Sequence, residues 1–343
     1  MIGQTFPLVK VSGTAYEMGY QHGQQAGALI QKYLIWIEKL TGKSRSELCQ
    51  SARKFHPLIE KLSPRLIEEI KGLAKGADIT FDEALLCQAR GEAASVPPEG
   101  CTAFALKGSA TANSITLAGQ NQDLAPEYAD VAILLHVCPS DERPRALIFT
   151  FAGQLGYAGM NQHGLAHFAN ALYDAPWQFG LPHYPIKRAV LEQDNLEDCL
   201  TIIKQNPTCS AGNMVFCFGN NEIADIEIRP DGFAQFTDTH PDSILHANHY
   251  LTPEFTPHET NSLADSCPRL DRMRDLIQEH WGHITVDTMK TILADHQDDP
   301  AAICRHGAEN MISVSGYIAE PNKGLFHVRR GLGCTGTWTA YEV

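Results

Sequence analysis

A change of texture near residue 100 constrains the fold of this chain more than any other feature. Residues 16–40 and 57–74 carry apolar side chains at helical spacing, and a capping box predicts a third helix over residues 80–90. Residues 93–100 contain two prolines and a glycine, which cannot continue a helix and suit an exposed linker. Helices therefore dominate the first ninety residues, and a different architecture must follow.

Beyond the linker, short runs of β-branched and aromatic residues alternate with turn residues and with a few helical stretches. Strands are predicted over residues 101–106, 114–118, 131–137, 146–151, 214–218, 222–228, 233–237, 312–318 and 324–328, and helices over 185–204, 268–280 and 285–295. Hairpin-linked strands flanked by helices predict an α+β fold with largely antiparallel sheets.

Composition excludes several classes of partner. The 343 residues carry a formal charge of −13, which argues against binding to nucleic acid or to anionic lipid. The N-terminus lacks the pattern of a signal peptide, and no run approaches the roughly 18 apolar residues of a membrane helix, so we expect a cytoplasmic protein without membrane contact. The ten cysteines form no CxxC pair, and their spacing indicates neither a zinc site nor a disulfide scaffold.

Cys101 directly follows the linker and begins a predicted strand, which is the placement that an N-terminal nucleophile requires. Its thiol can attack the carbonyl of Gly100, move the acyl group from nitrogen to sulfur, and let water release residues 1–100. Glycine suits the preceding position because it has no side chain to block the attack. The freed α-amino group, with an ordinary pKa of about 7.7–8.0, is then a usable base for the thiol.

Several motifs in order along the chain carry a resemblance to a known family. They are GCT at 100–102, GQNQD at 119–123, HANH at 246–249, AICR at 302–305 and VRRG at 328–331, with Gly19, Gly23 and Gly27 in the helical leader. The sequence resembles the acyl-CoA:6-aminopenicillanate acyltransferase (isopenicillin N acyltransferase)-like family of N-terminal nucleophile (Ntn) cysteine hydrolases.

That resemblance implies a four-layered αββα fold with two antiparallel sheets. It also implies self-cleavage into a helical propeptide, residues 1–100, and a β fragment, residues 101–343, which remain associated as one fold. Cys101 would be the self-processing residue and the nucleophile, and Asp123 would hold the new ammonium. Asn248 would donate to the oxyanion. Thr102 and Asn121 are weaker candidates for supporting hydrogen bonds.

The function implied is that of a cysteine amidohydrolase that cleaves a linear C–N amide bond of a small-molecule substrate through an acyl-enzyme. The alternative is an acyltransferase that moves the acyl group to an amine or takes it from CoA. This reaction uses the same nucleophile as hydrolysis and differs in the acceptor pocket. Neither reaction requires a metal ion or an organic cofactor, so none is expected. Two other hypotheses remain open: an uncleaved Cys–His hydrolase that uses His246 or His249 as base, and a homologue that binds small molecules without catalysis.

Two features leave the substrate open. Asn310 occupies the position where relatives can carry an arginine, and Arg269 or Arg305 could replace that arginine, although each is more typical of a solvated or helix-capping residue. Six aromatic residues could line an acyl pocket, although their spacing is more typical of a core: Phe151, Tyr157, Phe168, Tyr173, Trp177 and Phe179. The histidines, including His163, His167 and His240, show no metal-binding pattern.

Overall fold

Helices form the N-terminal part of the chain and return later in two pairs. The structure, a computed structural model, describes residues 5–90, 92, 99–173, 175, 177–260, 263–307 and 310–343; the predicted linker residues 93–98 lie outside these ranges. The helices discussed below are α1 (Ala15–Thr41), α2 (Arg45–Arg53), α3 (His56–Leu62), α4 (Pro64–Ala77), α5 (Phe81–Gln88), α6 (His183–Val190), α7 (Leu196–Gln205), α8 (Ser266–Glu279) and α9 (Val286–Ile292).

Two sheets contain the strands. Their order along the chain is β1 (Leu8–Gly13), β2 (Gly100–Leu106), β3 (Leu117–Leu124), β4 (Ala132–Pro139), β5 (Ala146–Phe151), β6 (Ala158–Asn161), β7 (Leu165–Phe168), β8 (Gly212–Phe218), β9 (Ile223–Arg229), β10 (Gly232–Phe236), β11 (Ser243–His246), β12 (Ile312–Glu320), β13 (Leu325–Arg330) and β14 (Thr337–Glu342). The eight-stranded sheet has the order β1-β4-β5-β6-β7-β8-β9-β10, and the six-stranded sheet has the order β11-β2-β3-β12-β13-β14. Neighbouring strands are antiparallel except β1 and β4, which are parallel.

The cores show how the layers stack. Alternate residues of a strand point to opposite faces of its sheet, and β2 follows this rule. Ala103 and Ala105 join the large core that also contains residues of α1, α4 and the eight-stranded sheet. Phe104 and Leu106 join a smaller core with α8 and α9. The order is therefore helices, sheet, sheet, helices, and the predicted α+β fold with two sheets is confirmed.

Glycines allow α1 and α4 to cross at very short distance. A Cβ atom on Gly19 would lie 1.9 Å from the backbone oxygen of Glu69, and one on Gly72 would lie 2.0 Å from that of Tyr16. No side chain fits at such a contact, so the backbones themselves form the interface. The glycines of the helical leader thus fix how α1 packs against its neighbour.

Helix ends agree only in part with the sequence-based predictions. The capping box at Thr80 begins α5 as predicted. The helical pattern over 57–74 belongs to two helices, because Ser63 is extended and separates α3 from α4; Ser63 is the N-cap residue of α4 and Pro64 lies in its first turn, as Ser63-Pro64 predicts, although the Ser63 side chain makes no capping hydrogen bond. The helix predicted over 185–204 is also two helices, and Asn195 caps the second with its side chain.

The strands were predicted most accurately where they form hairpins. β4, β5, β8, β9, β10, β12 and β13 lie within a few residues of the predicted ranges. The strand predicted over 114–118 instead runs over Leu117–Leu124, and β1, β6, β7, β11 and β14 were not predicted. Within the described residues, none of the helices combines the length and the apolar content that a membrane-spanning segment requires.

Candidate active site

Pairing of β2 with β3 brings the predicted residues to one place. Gly100 lies opposite Asp123, Cys101 opposite Gln122, and Thr102 opposite Asn121. Since faces alternate along a strand, Cys101 shares the inward face of Ala103, between the two sheets. Gly100 and Thr102 share the other face, toward α8 and α9. Cys101 and Asp123 therefore lie on adjacent strands, one residue out of register, and their side chains point to opposite faces of the sheet.

The Cys101 thiol is buried but lies against a cavity that opens to solvent at Trp177. Only 2% of the residue is exposed, and the side-chain amide of Gln122 donates a hydrogen bond to Sγ at 3.2 Å. A cavity of about 270 Å³ includes Cys101 in its wall. Burial, with smaller contributions from Asp123 and Glu99, raises the pKa of the thiol to about 12. In the uncut chain the thiol is therefore protonated near neutral pH.

Asn248, which follows β11, contacts the backbone of the candidate nucleophile. Its Oδ1 accepts a hydrogen bond of 2.9 Å from the N–H of Cys101 and another of 2.8 Å from Arg269. Its Nδ2 donates to the carbonyl oxygens of Ala171 at 3.0 Å and Glu99 at 3.5 Å, both of which belong to cavity-lining residues. The donor end of this amide thus faces the cavity.

Arg269, on α8, occupies the centre of the site and is fully buried. Its guanidinium donates to the carbonyl oxygen of Cys101 and to Oγ1 of Thr102, both at 2.7 Å. It also forms a 3.1 Å ion pair with Asp265. The interpretation of Arg269 as a solvated or helix-capping residue is therefore wrong, because its charge is enclosed and contacts four polar groups of the site.

Asp123 has one occupied and one open oxygen. Oδ1 accepts a 2.6 Å hydrogen bond from Ser313, whereas Oδ2 has no hydrogen-bond partner among the described residues. A Cβ built on Gly100 would lie 3.6 Å from this oxygen and 2.6 Å from the Arg305 guanidinium. Burial raises the pKa of Asp123 despite nearby Arg269 and Arg305. The open oxygen thus lies beside the residue that precedes Cys101.

Arg305 is likewise buried, so it is not the solvated residue that its sequence context suggested. Its guanidinium lies 2.6 Å from Asp265, which bridges it to Arg269. Asn310 is exposed and adopts a positive φ of 60°. Two buried arginines therefore lie near Gly100 and Cys101, while position 310 faces outward.

The structure places the two weaker candidates differently. Thr102 accepts the hydrogen bond from Arg269 and lies next to Cys101. Asn121 instead donates to the carbonyl oxygens of Leu293 and Ile303, at 2.8 and 2.9 Å, and its own oxygen accepts from Arg329. Its contacts join β3 to the segments around α9 rather than to the thiol.

Glu99 extends from the start of β2 into the cavity. Its carboxylate pairs with Arg90 at 2.8 Å, and the Tyr157 hydroxyl lies 3.3 Å from its other oxygen. Its backbone carbonyl accepts a 2.6 Å hydrogen bond from Tyr173. The residue two positions before Cys101 is thus anchored in the wall of the cavity that contains the thiol.

Lys187 adds a second cation to the same cavity. Its Nζ lies 4.7 Å from the centre of the Tyr157 ring and 5.7 Å from that of Tyr184. Burial lowers the pKa of Lys187, and Glu99 opposes this effect. Among the described residues, no carboxylate lies within salt-bridge distance of Lys187.

The six aromatic candidates divide between the cavity and other surroundings. Tyr157, Tyr173 and Trp177 line the cavity. Phe151 and Phe168 are core residues, and Phe179 is 55% exposed and stacks on Phe55. Sequence reasoning did not identify three charged residues that line the cavity, because they belong to no local motif: Arg90, Glu99 and Lys187.

The two histidines of the Cys–His hypothesis contact other groups. His246 pairs with Glu227 at 3.0 Å, and Nδ1 of His249 lies 2.7 Å from the Ser266 hydroxyl. Burial lowers the pKa of His249 to about 4. The described hydrogen bonds of both imidazoles are therefore directed away from the Cys101 thiol.

Enzymes of the N-terminal nucleophile class place their nucleophile at the start of a strand in a fold of two sheets between helical layers, and Cys101 has that position here. Comparisons with known proteins then identify the family. The chain belongs to the acyl-coenzyme A:6-aminopenicillanic acid acyltransferase family, whose model matches residues 110–320. The matched segment begins after Cys101 and includes Asp123, Asn248 and Arg269.

Individual relatives include both transferases and hydrolases. The chain is 31% identical over 307 residues to the acyl-coenzyme A:6-aminopenicillanic-acid-acyltransferase 40 kDa form of Emericella nidulans, covering 87% of this chain and 84% of that protein. It is 26% identical over 228 residues to the beta-alanyl-dopamine/carcinine hydrolase of Drosophila melanogaster, covering 59% of this chain and 58% of that protein. The protein is an enzyme of this hydrolase and acyltransferase group.

Solved structures with similar chains include two further enzymes. The conjugated bile acid hydrolase of Clostridium perfringens is 11% identical with a TM-score of 0.49, covering 71% of this chain and 97% of that one. The penicillin V acylase of Agrobacterium tumefaciens is 12% identical with a TM-score of 0.45, covering 71% of this chain and 86% of that one.

Proposed function

We propose that this chain is the precursor of a cysteine amidohydrolase that cuts itself between Gly100 and Cys101 and then cleaves a linear amide bond of a small molecule. The observation that carries the proposal is the position of Cys101. Its thiol lies in a cavity wall, its N–H bonds Asn248 at 2.9 Å, and the preceding Gly100 packs beside the open oxygen of Asp123.

In the self-cleavage step, Sγ of Cys101 bonds to the carbonyl carbon of Gly100 and the C–N bond to Cys101 breaks. The resulting thioester reacts with water, which leaves a carboxylate on Gly100 and returns the thiol. The freed nitrogen takes the thiol proton to become an amine, and the proton released when the new Gly100 carboxylic acid ionises converts this amine into an ammonium. Asp123 supports this step because its open Oδ2 offers a carboxylate oxygen beside the bond that breaks.

The same groups serve the substrate reaction. The thiolate attacks the amide carbonyl, the α-amino group of Cys101 carries the thiol proton to the leaving amine, and water then hydrolyses the acyl-enzyme. Nδ2 of Asn248 points to the cavity side and is suited to stabilise the oxyanion. Arg269 fixes the orientation of that amide because a guanidinium has only donors and must face Oδ1.

Cleavage would also change the electrostatics of the thiol. Glu99 is one of the negative charges that raise the pKa of Cys101 in the uncut chain. If the new C-terminus leaves the cavity, this contribution disappears and the thiolate becomes easier to form. The uncut chain would therefore be a zymogen whose thiol ionises less readily than the thiol of the processed enzyme.

The substrate class follows from the part of the cavity that the Glu99 side chain occupies. In the thioester formed by self-cleavage, the acyl group on the Cys101 sulfur is the propeptide, which ends in Glu99 and Gly100. A substrate acyl group later binds the same sulfur, so it occupies the space that the end of the propeptide filled. Departure of Glu99 leaves Arg90 and Lys187 with aromatic Tyr157 around that space. We infer an acyl group that carries a negatively charged end.

Acyl transfer is the second candidate, and the 31% identity to an acyltransferase favours it. The two reactions share the acyl-enzyme and differ in whether water, an amine or a thiol such as CoA receives or supplies the acyl group. Both fragments are expected to remain together in either case.

The test begins with a denaturing gel of the purified protein and sequencing of the new N-terminus. We expect a fragment that begins Cys-Thr-Ala-Phe, loss of both processing and turnover in Cys101→Ala, and normal behaviour of Cys138→Ala, which alters a half-buried cysteine on β4. A single intact chain that still cleaves amides would overturn self-cleavage. A chain that neither processes nor reacts with a thiol-directed acyl probe would instead support a binding protein.

Turnover is then measured on matched acyl amides with and without a terminal carboxylate, in the presence and absence of CoA. We expect faster cleavage of the carboxylate-bearing member of each pair because two cations line the cavity. Equal rates would reject the anionic acyl group while leaving self-cleavage intact. Formation of acyl-CoA in preference to the free acid would identify a transferase.

A further inference from the structure

A group of two histidines and two cysteines lies outside the active-site cavity. His296 follows α9, Cys304 and His306 precede β12, and Cys334 lies between β13 and β14. One nitrogen or sulfur atom from each residue lies within 4.8 Å of those of the other three. Three separate segments of the chain therefore bring four metal-ligating side chains to one point.

Two distances within this group fit a tetrahedral metal ion. Nε2 of His306 lies 3.6 Å from the Cys304 sulfur and 3.5 Å from the Cys334 sulfur. With zinc–sulfur bonds of about 2.3 Å and zinc–nitrogen bonds of about 2.0–2.1 Å, a tetrahedron places its sulfur and nitrogen ligands about 3.6 Å apart. Both sulfur–nitrogen distances match that value.

A third distance, between the Nε2 atoms of the two histidines, is shorter than a metal site requires. Nε2 of His296 lies 2.7 Å from Nε2 of His306, which is a hydrogen-bond distance. In a tetrahedral site, this distance is about 3.4 Å, so the rings must separate slightly when a metal ion replaces the shared proton. Both residues are exposed, and their side chains have room for this movement.

The turn between β13 and β14 lies close to the Cys304 sulfur, and the backbones of Gly333 and Cys334 are its neighbours. A Cβ on Gly333 would lie only 3.0 Å from that sulfur and 2.4 Å from the carbonyl oxygen of Leu293. Glycine at 333 therefore allows the turn between β13 and β14 to approach Cys304 closely.

We propose that His296, Cys304, His306 and Cys334 bind one zinc ion in a structural Cys2His2 site. Four nitrogen and sulfur ligands from the protein complete a tetrahedron, which is typical of structural rather than catalytic zinc. The regular spacing of familiar zinc motifs is absent because the ligands come from three segments, and this explains why the sequence alone indicated no zinc site.

The site has a consequence for the active centre. Arg305 lies between two of the ligands, and its guanidinium is 2.6 Å from Asp265 and adjacent to Gly100. Zinc would thus hold the segment that positions Arg305 at the cleavage site. This makes Arg305 a positioning residue whose placement depends on the metal, while the metal itself takes no part in the chemistry.

The experiment measures metal content of the purified full-length protein, as isolated and after chelation followed by titration with Zn²⁺ alone. We expect one zinc per chain, loss of high-affinity binding in Cys334→Ser and in His296→Ala, and retention in Cys138→Ser. The last variant is a matched control because Cys138 also lies close to a histidine, with its sulfur 3.7 Å from Nε2 of His136.

Two further readouts do not depend on activity. Co²⁺ bound in place of zinc should give the visible absorption of a tetrahedral site with thiolate ligands, and chelation should lower the thermal midpoint of the wild type but not that of Cys334→Ser. Failure to bind one equivalent of Zn²⁺ or Co²⁺ would overturn the proposal. So would an intact mass lower by two hydrogen atoms that shows a Cys304–Cys334 disulfide in metal-free protein.

Discussion

Arg269 forms hydrogen bonds and an ion pair with groups that are distant from one another in the sequence. It joins the backbone of Cys101, 168 positions away, to the amide of Asn248, and it shares Asp265 with Arg305. Because the guanidinium is planar and donates from several nitrogens at once, it can hold these acceptors in a fixed relation. Under the proposed mechanism, Arg269 is a positioning residue for the oxyanion donor.

Replacing Arg269 by lysine tests that role. Arg269→Lys keeps the charge, but one ammonium cannot span the same acceptors, so Asn248 loses its fixed orientation. We expect self-cleavage and kcat to fall by about 10- to 100-fold with a smaller change in KM. The rate of fragment appearance and steady-state kinetics measure these effects.

Arg274→Lys on the same helix is the matched control, because Arg274 forms an exposed pair with Asp271. It should leave both rates unchanged. Equal effects of the two substitutions, or normal kcat in Arg269→Lys, would remove Arg269 from the proposed machinery.

Sequence reasoning identified the residues of the site that lie in local motifs and missed those that do not. Cys101 was chosen from its surroundings in the chain, and Asp123 and Asn248 were implied by the resemblance to the family; the structure brings all three within one neighbourhood. Arg269 was named only as a possible replacement for the family arginine and Lys187 was missed, because both lie on helices with ordinary patterns and their contacts arise only in the tertiary structure. No pattern within a single helix contains that information.

At the scale of elements, a buried ion pair joins the two sheets. His246 on β11 contacts Glu227 on β9 at 3.0 Å, and both side chains are fully buried. The backbone N–H groups of Leu251 and Thr252 also donate to this carboxylate. Asp225, Glu227 and the adjacent hydrogen bonds raise the pKa of His246 to about 9 although burial opposes the change.

This pair predicts how stability depends on pH. The unfolded histidine has a pKa of about 6.5, so the folded chain retains a proton that the unfolded chain loses between about pH 6.5 and 9. The stabilisation is complete below that range and is lost as pH rises through it, by roughly 3 kcal/mol. Burial raises the pKa of Asp225 to about 7, so Asp225 also contributes to the pH dependence of stability below pH 7. The loss of stability above pH 7 is therefore due to His246.

Urea unfolding of wild type and His246→Gln from pH 6.5 to 9.5 measures this loss. We expect the midpoint of the wild type to fall across the range and that of the variant to change little. His163→Gln, which alters an exposed histidine, should behave like the wild type. A wild-type midpoint independent of pH would contradict the assigned role of the pair.

Elements were predictable from sequence where local signals determine them. The capping box at Thr80 and the hairpin strands depend on neighbouring residues, and their predictions agree with the structure. β1 is different because it pairs with β4, more than a hundred residues later, in the parallel orientation. Its stability comes from that distant partner rather than from its own six residues.

At the scale of the molecule, the N-terminal helices belong to the same core as the sheets. Arg188 on α6 forms a buried bidentate pair with Glu69 on α4, at 3.1 and 3.0 Å. His22 accepts from the N–H of Gly153, and Gln88 donates to the carbonyl of that residue. A cut at residue 100 would therefore divide the chain but not the core.

We expect the two fragments of the processed protein to coelute from a sizing column and to separate only in denaturant. Glu69→Ala should lower the urea concentration of separation by a large amount, because it leaves a buried arginine charge with one fewer partner, at a cost of about 3–5 kcal/mol. Glu68→Ala is the matched control on the same helix, since Glu68 forms an exposed pair with Lys71. Separate elution in buffer, or equal effects of both substitutions, would contradict this expectation.

The pairing of Gly100 with Asp123 and of Cys101 with Gln122 would also determine the kinetic order of the proposed processing. Both sides of the bond are already held in the sheet, and the thiol, the amide and the two arginines around it all come from the same chain. A cut at this bond would need solvent water but no second copy of the protein, so it would be a first-order event whose half-time does not change on dilution. Each chain would thus mature at a pace set by its own folding, however few copies a cell contains.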